Sequence, residues 1–292
     1  MTIASGLLAI NRTLCCLPLL ALGASAQTSY TFTTFTIPNT IGTDPWAIND
    51  RGDVTGYYVA TLDSPQTGFL RLASGQITTV MYPGSDASLA NGINDFGVVT
   101  GTFMNYSGGT TLTGFFYRNG RYEKAMADGH PALVVDINDL GYYVGYYGTS
   151  QKSTAFIAAP GGQVIAILSY PGGYHTGPTW IKNNGEVIGT YTDRYHRIHT
   201  FLYDAKSGYR PLAVPGIPGA GIQDINSSGI AVGSYFNGAT QAFTYQKGIF
   251  SLLQIPNAKD SGANAINNKG QIVGFYTTLD GVNVGFIATP VP

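Results

Sequence analysis

Short apolar segments alternate along this chain with turns that are rich in Asn, Asp and Gly. β-branched and aromatic residues dominate the segments, and none keeps the period of an amphipathic helix. In the clearest example, Ala47-Ile48 leads into the turn Asn49-Asp50-Arg51-Gly52, and Val54–Tyr58 follows as a second apolar segment. Asn and Asp favour turn positions and Gly accepts a positive φ, so this pattern predicts a β-hairpin.

The hairpin pattern recurs six times at a nearly constant spacing. Successive Ile residues before the turn are 45, 44, 44, 44 and 41 residues apart, at Ile48, Ile93, Ile137, Ile181, Ile225 and Ile266. A period of this size is typical of propellers, solenoids and repeat arrays. In the second unit the pattern predicts strands at 89–93, 98–103, 114–117 and 122–126. Four short antiparallel strands in about 44 residues match one propeller blade.

The two ends of the repeat region predict a closed ring. The last repeat stops at its third strand, Val284–Ala288, while Tyr30–Pro38 near the N-terminus resembles a fourth strand. An N-terminal strand that completes the last blade would remove both exposed sheet edges. The sequence therefore predicts an all-β, six-bladed β-propeller of four-stranded repeats, closed by the N-terminal strand. The alternative is an open β-array, which would need capping units at its ends.

A further element recurs on the third strand of every unit. It reads Thr67-Gly68-Phe69, Thr113-Gly114-Phe115, Thr154-Ala155-Phe156, His199-Thr200-Phe201, Gln241-Ala242-Phe243 and Val284-Gly285-Phe286. With the Ile-Asn-x-x-Gly turn, it resembles the repeats of bacterial extracellular HAF proteins, named for His-Ala-Phe at this place. Five units lack the His, and Lys182 replaces the Asn in the fourth. The resemblance implies secretion and a repeated β fold, and it implies no particular activity.

The first 26 residues have the pattern of a secretory signal peptide. Arg12 precedes an apolar run, Leu14–Leu22, and Ala24-Ser25-Ala26 provides small residues for cleavage. The run is too short for a membrane-spanning helix. Both cysteines, Cys15 and Cys16, lie inside this segment. We therefore expect a mature chain, residues 27–292, that forms one six-repeat domain without disulfides and is secreted or periplasmic in a bacterium.

Charge and motif content restrict the partners of the mature chain. Removing Arg12 with the signal peptide leaves 14 basic and 16 acidic residues. The mature chain therefore has no excess of positive charge to attract nucleic acid or an anionic membrane. There is no phosphate loop, dinucleotide fingerprint or Gly-x-Ser-x-Gly elbow, so the sequence predicts no cofactor. Asp136 and Asp224 could line a channel or bind a cation, but they lie two repeats apart, so no metal site is predicted.

The loops of such a blade divide between two faces. The turns after the first and third strands form the turn face, which repeats the same Asn-x-x-Gly chemistry. The loops after the second and fourth strands form the variable face, which differs between units in length and composition. Because binding residues concentrate on loops held by a rigid scaffold, we expect the functional site on the variable face.

The fourth repeat is the least typical unit on that face. Its second-to-third loop, Tyr191–His199, concentrates charged and aromatic side chains. We expect a ligand site formed by His130, Tyr174, His175, Trp180, Asp193 and Arg194. Arg forks bind carboxylates, Tyr and His transfer protons, and Trp or Tyr stacks on sugars.

Three functions fit this pattern. The first is a binding protein for a polysaccharide or an envelope glycan. The second is a polysaccharide lyase acting on an acidic glycan, with Tyr195, His196 and Arg197 as catalytic residues; this rests on analogy of fold. The third is a structural surface protein in which the loop is only solvated. The sequence also predicts a surface ion pair between Lys182 and Glu186.

Overall fold

The computed structural model describes residues 28–107, 111–149 and 152–291, and these residues form an all-β protein. They contain twenty-five strands and no helix, and so no helix long and apolar enough to cross a membrane. The predicted signal peptide, residues 1–26, lies outside the described ranges.

The strands follow the repeats. In chain order they are β1 (Tyr30–Phe35), β2 (Gly42–Ile48), β3 (Val54–Val59), β4 (Thr67–Arg71), β5 (Ile77–Val80), β6 (Ala87–Ile93), β7 (Val99–Asn105), β8 (Thr111–Arg118), β9 (Arg121–Lys124), β10 (Met126–Ala127), β11 (His130–Ile137), β12 (Tyr143–Thr149), β13 (Lys152–Ala158), β14 (Val164–Leu168), β15 (Tyr174–Ile181), β16 (Val187–Thr192), β17 (Ile198–Asp204), β18 (Gly208–Leu212), β19 (Ala220–Ile225), β20 (Ala231–Phe236), β21 (Thr240–Gln246), β22 (Ile249–Leu252), β23 (Ala258–Ile266), β24 (Ile272–Thr278) and β25 (Asn283–Pro290).

The strands form small antiparallel sheets that are arranged like the blades of a propeller. Three sheets, β6–β9, β15–β18 and β19–β22, have four strands each. Strands β10–β14 form a five-stranded version of the same unit. The remaining sheet has eight strands because β2–β5 join β23–β25 through one parallel bridge, Gly42 to Asn283. Strand β1 pairs antiparallel with β25, from Tyr30 opposite Pro290 to Phe35 opposite Gly285. The N-terminal strand thus lies against the last strand of the chain.

Each repeat buries one aromatic ring at the same position of its third strand. The six rings are fully buried: Phe69, Phe115, Phe156, Phe201, Phe243 and Phe286. Burial of a Phe side chain contributes about 1.5–3 kcal/mol, so these rings are the main apolar anchors of the sheets. Tyrosines at the ends of the second strands pack beside four of them: Tyr58, Tyr147, Tyr235 and Tyr276.

In five of the six turns, an Asn connects one repeat to the next. In the first turn, Asn49 Oδ1 accepts hydrogen bonds from the backbone N–H groups of Arg51 and Asp53. Its Nδ2 donates to the carbonyl of Asn94, the same position of the next repeat. The same link continues from Asn94 to Asn138 and from Asn226 to Asn267, and Asn267 Nδ2 donates back to Asn49 O at 2.9 Å.

The first strand of each repeat, which we call the innermost strand, contains a β-bulge two residues before the Ile that precedes the turn. Pairing with the second strand skips one residue in each repeat: Trp46, Asn91, Val135, Thr179, Gln223 and Asn264. A bulge bends the strand and redirects a side chain. These six residues, which we call the bulge residues, are only partly buried or exposed, whereas their direct neighbours in the strands are mostly buried. The fold therefore directs one side chain per repeat towards the propeller axis.

Candidate functional site

The loop Tyr191–His199 contains the same tight turn as the Asn-x-x-Gly hairpins. Asp193 Oδ1 accepts hydrogen bonds from the backbone N–H groups of Tyr195 and Arg197, as Asn49 does in its own turn. The backbone N–H of His196 donates to Asp193 O at 3.0 Å, and His196 has a φ of 62°. His196 therefore occupies the left-handed position that Gly takes elsewhere in the protein.

The charges of this loop are largely satisfied within it. Asp193 Oδ2 accepts from Arg197 Nε at 2.8 Å and lies 2.9 Å from His199 Nε2. Desolvation alone would raise the pKa of Asp193, but the hydrogen bonds from His199 and Arg197 outweigh it and hold that pKa well below its usual range. The guanidinium groups of Arg194 and Arg197 stack on the Tyr195 ring.

The other predicted ligand residues are distributed around the loop. Tyr174 lies opposite Thr192 in the sheet, next to the start of the loop, and His175 has a φ of 49°. His130 stacks on Tyr147 in the preceding repeat, at 6.4 Å between ring centroids. Among the residues that the structure describes, no three His, Cys, Asp or Glu side chains are grouped to hold a metal ion.

Of the nine predicted site residues, only Trp180 lines any of the three main cavities found in the described part of the protein. Seven of the other eight are exposed, and Asp193 is partly buried. The loop is therefore paired within itself and lines none of these cavities.

Replacing His196 with Gly tests whether this turn is built for stability or for function. A non-Gly residue in the left-handed region costs about 1–2 kcal/mol, part of which Gly returns as greater freedom of the unfolded chain. We expect His196→Gly to raise the free energy of unfolding by up to about 1 kcal/mol in urea titrations. The matched control is Gly185→His, the reverse exchange in the neighbouring turn. This variant should lower the free energy of unfolding. A His196→Gly protein that is less stable than the parent would contradict this account.

Lys182 does not pair with Glu186, so the predicted surface ion pair is wrong. Glu186 instead forms its ion pair with Arg210 at 3.0 Å. The Lys182 ammonium turns inward and forms an ion pair with Asp224, which is only 4% exposed. The reason is the repeat geometry: Lys182 stands in the place of the linking Asn, so its longer side chain reaches the next repeat, 42 residues away.

These charges line a cavity of about 590 Å³ on the turn face, which we call the turn-side cavity. Asp136 lies beside them, and one of its oxygens accepts a hydrogen bond from the backbone N–H of Ile181. Burial raises the pKa of Asp136 to about 7, with the Lys182 charge opposing this rise and the Asp224 charge adding to it. Asp136, Lys182 and Asp224 thus form one coupled charge cluster around the axis.

A second cavity of about 550 Å³ lies on the variable side of the axis, and we call it the axial cavity. All six bulge residues line it. Its remaining lining residues are Gln66, Leu89, Thr102, Met104, Leu112, Leu133 and Trp180. The volume lies within the range of small-molecule sites, about 300–1,000 Å³, and apolar walls with a few polar groups are typical of them. Trp180 lines both cavities and therefore separates them.

The Trp46 ring is fixed in the wall of the axial cavity. Its Nε1 donates to Asp44 Oδ2 at 3.2 Å, and the ring packs edge-on against Tyr57 at 5.2 Å between centroids. Asn264 also donates to Asp44. Burial raises the pKa of Asp44 to about 6, although hydrogen bonds from Trp46, Tyr57 and Asn264 lower it. An aromatic face held in this way is preorganised for stacking.

Sequence reasoning missed all six bulge residues because it searched the loops, and Trp180 is the one predicted residue that lines the axial cavity. The signal that identifies them is their variation: the position two residues before the repeated Ile differs in every unit except for two Asn residues.

No protein-family model matches this chain, and no curated protein is similar to it in sequence. Among solved structures, it is similar to a putative gluconolactonase, with a TM-score of 0.52, 12% identity, and coverage of 89% of this chain and 92% of the other. A mutant of AofleA from Arthrobotrys oligospora has a TM-score of 0.50, 13% identity and 90% coverage of both chains. The fucose-specific lectin from Aleuria aurantia covers 91% and 96% at 13% identity, but its TM-score of 0.46 supports no conclusion. The similarities show a β-propeller fold and nothing more specific.

Proposed function

We propose that this protein is a non-catalytic binding protein that takes a carbohydrate on its variable face, in the axial cavity. The observation that supports the proposal is the lining of that cavity: two Trp side chains stand among amide and hydroxyl groups. Aromatic faces stack on sugar rings, and amides and hydroxyls form hydrogen bonds with sugar hydroxyls. The expected site thus moves from the fourth-repeat loop to the axis.

The wider setting is part of the same proposal. We take the eight-stranded sheet as two blades that meet at one bridge, which gives a six-bladed ring closed by β1. The leader pattern supports export, to the periplasm or the medium of a bacterium. The turn and third-strand elements support membership of the HAF repeat family. A polysaccharide or an envelope glycan is the partner that fits these features.

Intrinsic fluorescence provides a direct test, because the chain has two tryptophans and both line the axial cavity. We expect titration of the mature protein with neutral oligosaccharides from bacterial, plant and algal polysaccharides to change its Trp emission. Trp46→Ala should weaken binding of the responding sugar about tenfold or more, measured by calorimetry, since stacked aromatic anchors dominate such sites.

The matched control is Tyr195→Ala, which removes an exposed aromatic residue from the loop of the same face. Its binding should equal that of the parent. Loss of binding in Tyr195→Ala but not in Trp46→Ala would return the site to the loop. Release of unsaturated uronate products, abolished by His196→Ala, would instead establish a lyase.

A further inference from the structure

The axial cavity has no charged side chain in its lining. Asp44, which lies behind the wall, is occupied by hydrogen bonds from Trp46 and Asn264. An ionised ligand group placed here would lose its hydration without gaining a counter-charge, which is strongly unfavourable. The cavity therefore selects against carboxylates, sulfates and ammonium groups.

The orientation of two bulge amides is fixed by the protein itself. Asn91 Nδ2 donates to Val134 O at 2.8 Å, and Asn264 Nδ2 donates to Pro45 O at 2.8 Å. A backbone carbonyl can only accept, so the NH₂ group of each amide must face it. The donors of both side chains are thus used inside the protein, and their carbonyl oxygens remain as acceptors.

Asn91 and Thr179 differ in what they offer to the cavity. Asn91 Oδ1 is buried and has no hydrogen-bond partner among the described residues. Because that oxygen has no accessible surface, a ligand in the cavity does not reach it. Thr179 Oγ1 uses its hydrogen on Ile188 O at 3.1 Å, which leaves only acceptor capacity towards the cavity.

We propose that the axial cavity recognises an uncharged, hydroxyl-rich ligand, a neutral sugar whose hydroxyl groups donate to Thr179 and Asn264 while its ring lies on Trp46. This inference rests on the proposed function and adds the ligand class and the direction of the hydrogen bonds. It also predicts that the protein does not bind acidic glycans in this cavity.

Matched sugar pairs test the absence of charge. Glucose, galactose and mannose are each compared with the corresponding uronate by Trp fluorescence and calorimetry on the mature protein. The uronate of any sugar that binds should bind at least about tenfold more weakly. Fully O-methylated glucose, which keeps its oxygens but lacks hydroxyl donors, should not bind. Tighter binding of a uronate, or equal binding of the methylated sugar, would overturn the inference.

The variant Thr179→Val tests the direction of the hydrogen bonds with little change in shape. It should weaken neutral-sugar binding about threefold to tenfold, the value of one hydrogen bond. Thr192→Val, on the neighbouring strand outside the cavity, is the control and should bind like the parent. Asn264→Leu provides a second variant, with folding checked by circular dichroism.

The two levels of the proposal fail differently. If no sugar of any kind alters Trp emission or gives heat, the proposed function itself is wrong. If a neutral sugar binds and Trp46→Ala abolishes binding, but Thr179→Val and Asn264→Leu bind like the parent, only the assignment of the hydrogen bonds is wrong.

Discussion

Lys182→Met is expected to lower the free energy of unfolding by about 3–5 kcal/mol at pH 8. The ammonium of Lys182 is the cation of the buried pair with Asp224, and it also opposes the rise in the pKa of Asp136. Removing it leaves two carboxyl groups near the axis without a counter-charge. Met keeps the length and apolar stem of the side chain, so the decrease in the free energy of unfolding is due to the lost charge and not to lost volume.

Urea unfolding followed by circular dichroism measures this effect. The control is Lys259→Met, in which an exposed Lys of the innermost strand of the last repeat is exchanged, and we expect a change within about 0.5 kcal/mol. The double variant Lys182→Met with Asp224→Asn should be more stable than Lys182→Met alone, because the second change removes the uncompensated charge.

The effect should also depend on pH. Without Lys182, the folded-state pKa of Asp136 rises above about 7, so protonation favours the folded state. The variant therefore keeps more of its stability at pH 5 and loses it as the pH rises through that pKa. An equal loss at pH 5 and pH 8 would show that Lys182 acts through packing alone.

Gly233→Ala is expected to be among the most disruptive single-methyl changes in the described part of the chain. A Cβ at Gly233 would lie 1.9 Å from the carbonyl oxygen of Gly221 on the facing strand. Because the obstacle is backbone, the two strands must separate at the bulge, and overpacking of this kind costs about 1–3 kcal/mol or more. The same close approach occurs at Gly145 and Gly274, which explains the glycine of the second strand.

Gly221→Ala is the matched control for this change. It lies on the facing strand of the same sheet, but its nearest contact for a Cβ is Ser234 O at 3.8 Å, an ordinary van der Waals distance. We expect Gly221→Ala to unfold close to the parent in thermal melts and Gly233→Ala to unfold several degrees lower. Equal melting temperatures would show that the bulge can relax and does not depend on glycine.

The sequence by itself determined the repeat and its local elements. The period, the four strands of each unit and the turns follow from signals within about ten residues, such as Asn49 with Gly52 or the buried Phe69. Local chemistry is sufficient here because an Asn side chain caps its own turn and a Gly removes the cost of a positive φ. The pairing of β1 with β25 followed from the missing strand of the last repeat.

Only the tertiary structure decided which side chains meet at the axis. Trp46 and Asn264 are 218 positions apart in the chain, yet both connect to Asp44 in one wall. The bulge also interrupts the alternation of side chains along each strand, so a period-two pattern assigns the wrong face beyond it. Lys182 shows the same limit: whether its ammonium meets Glu186 or Asp224 depends on the position of the next repeat, which no local pattern contains.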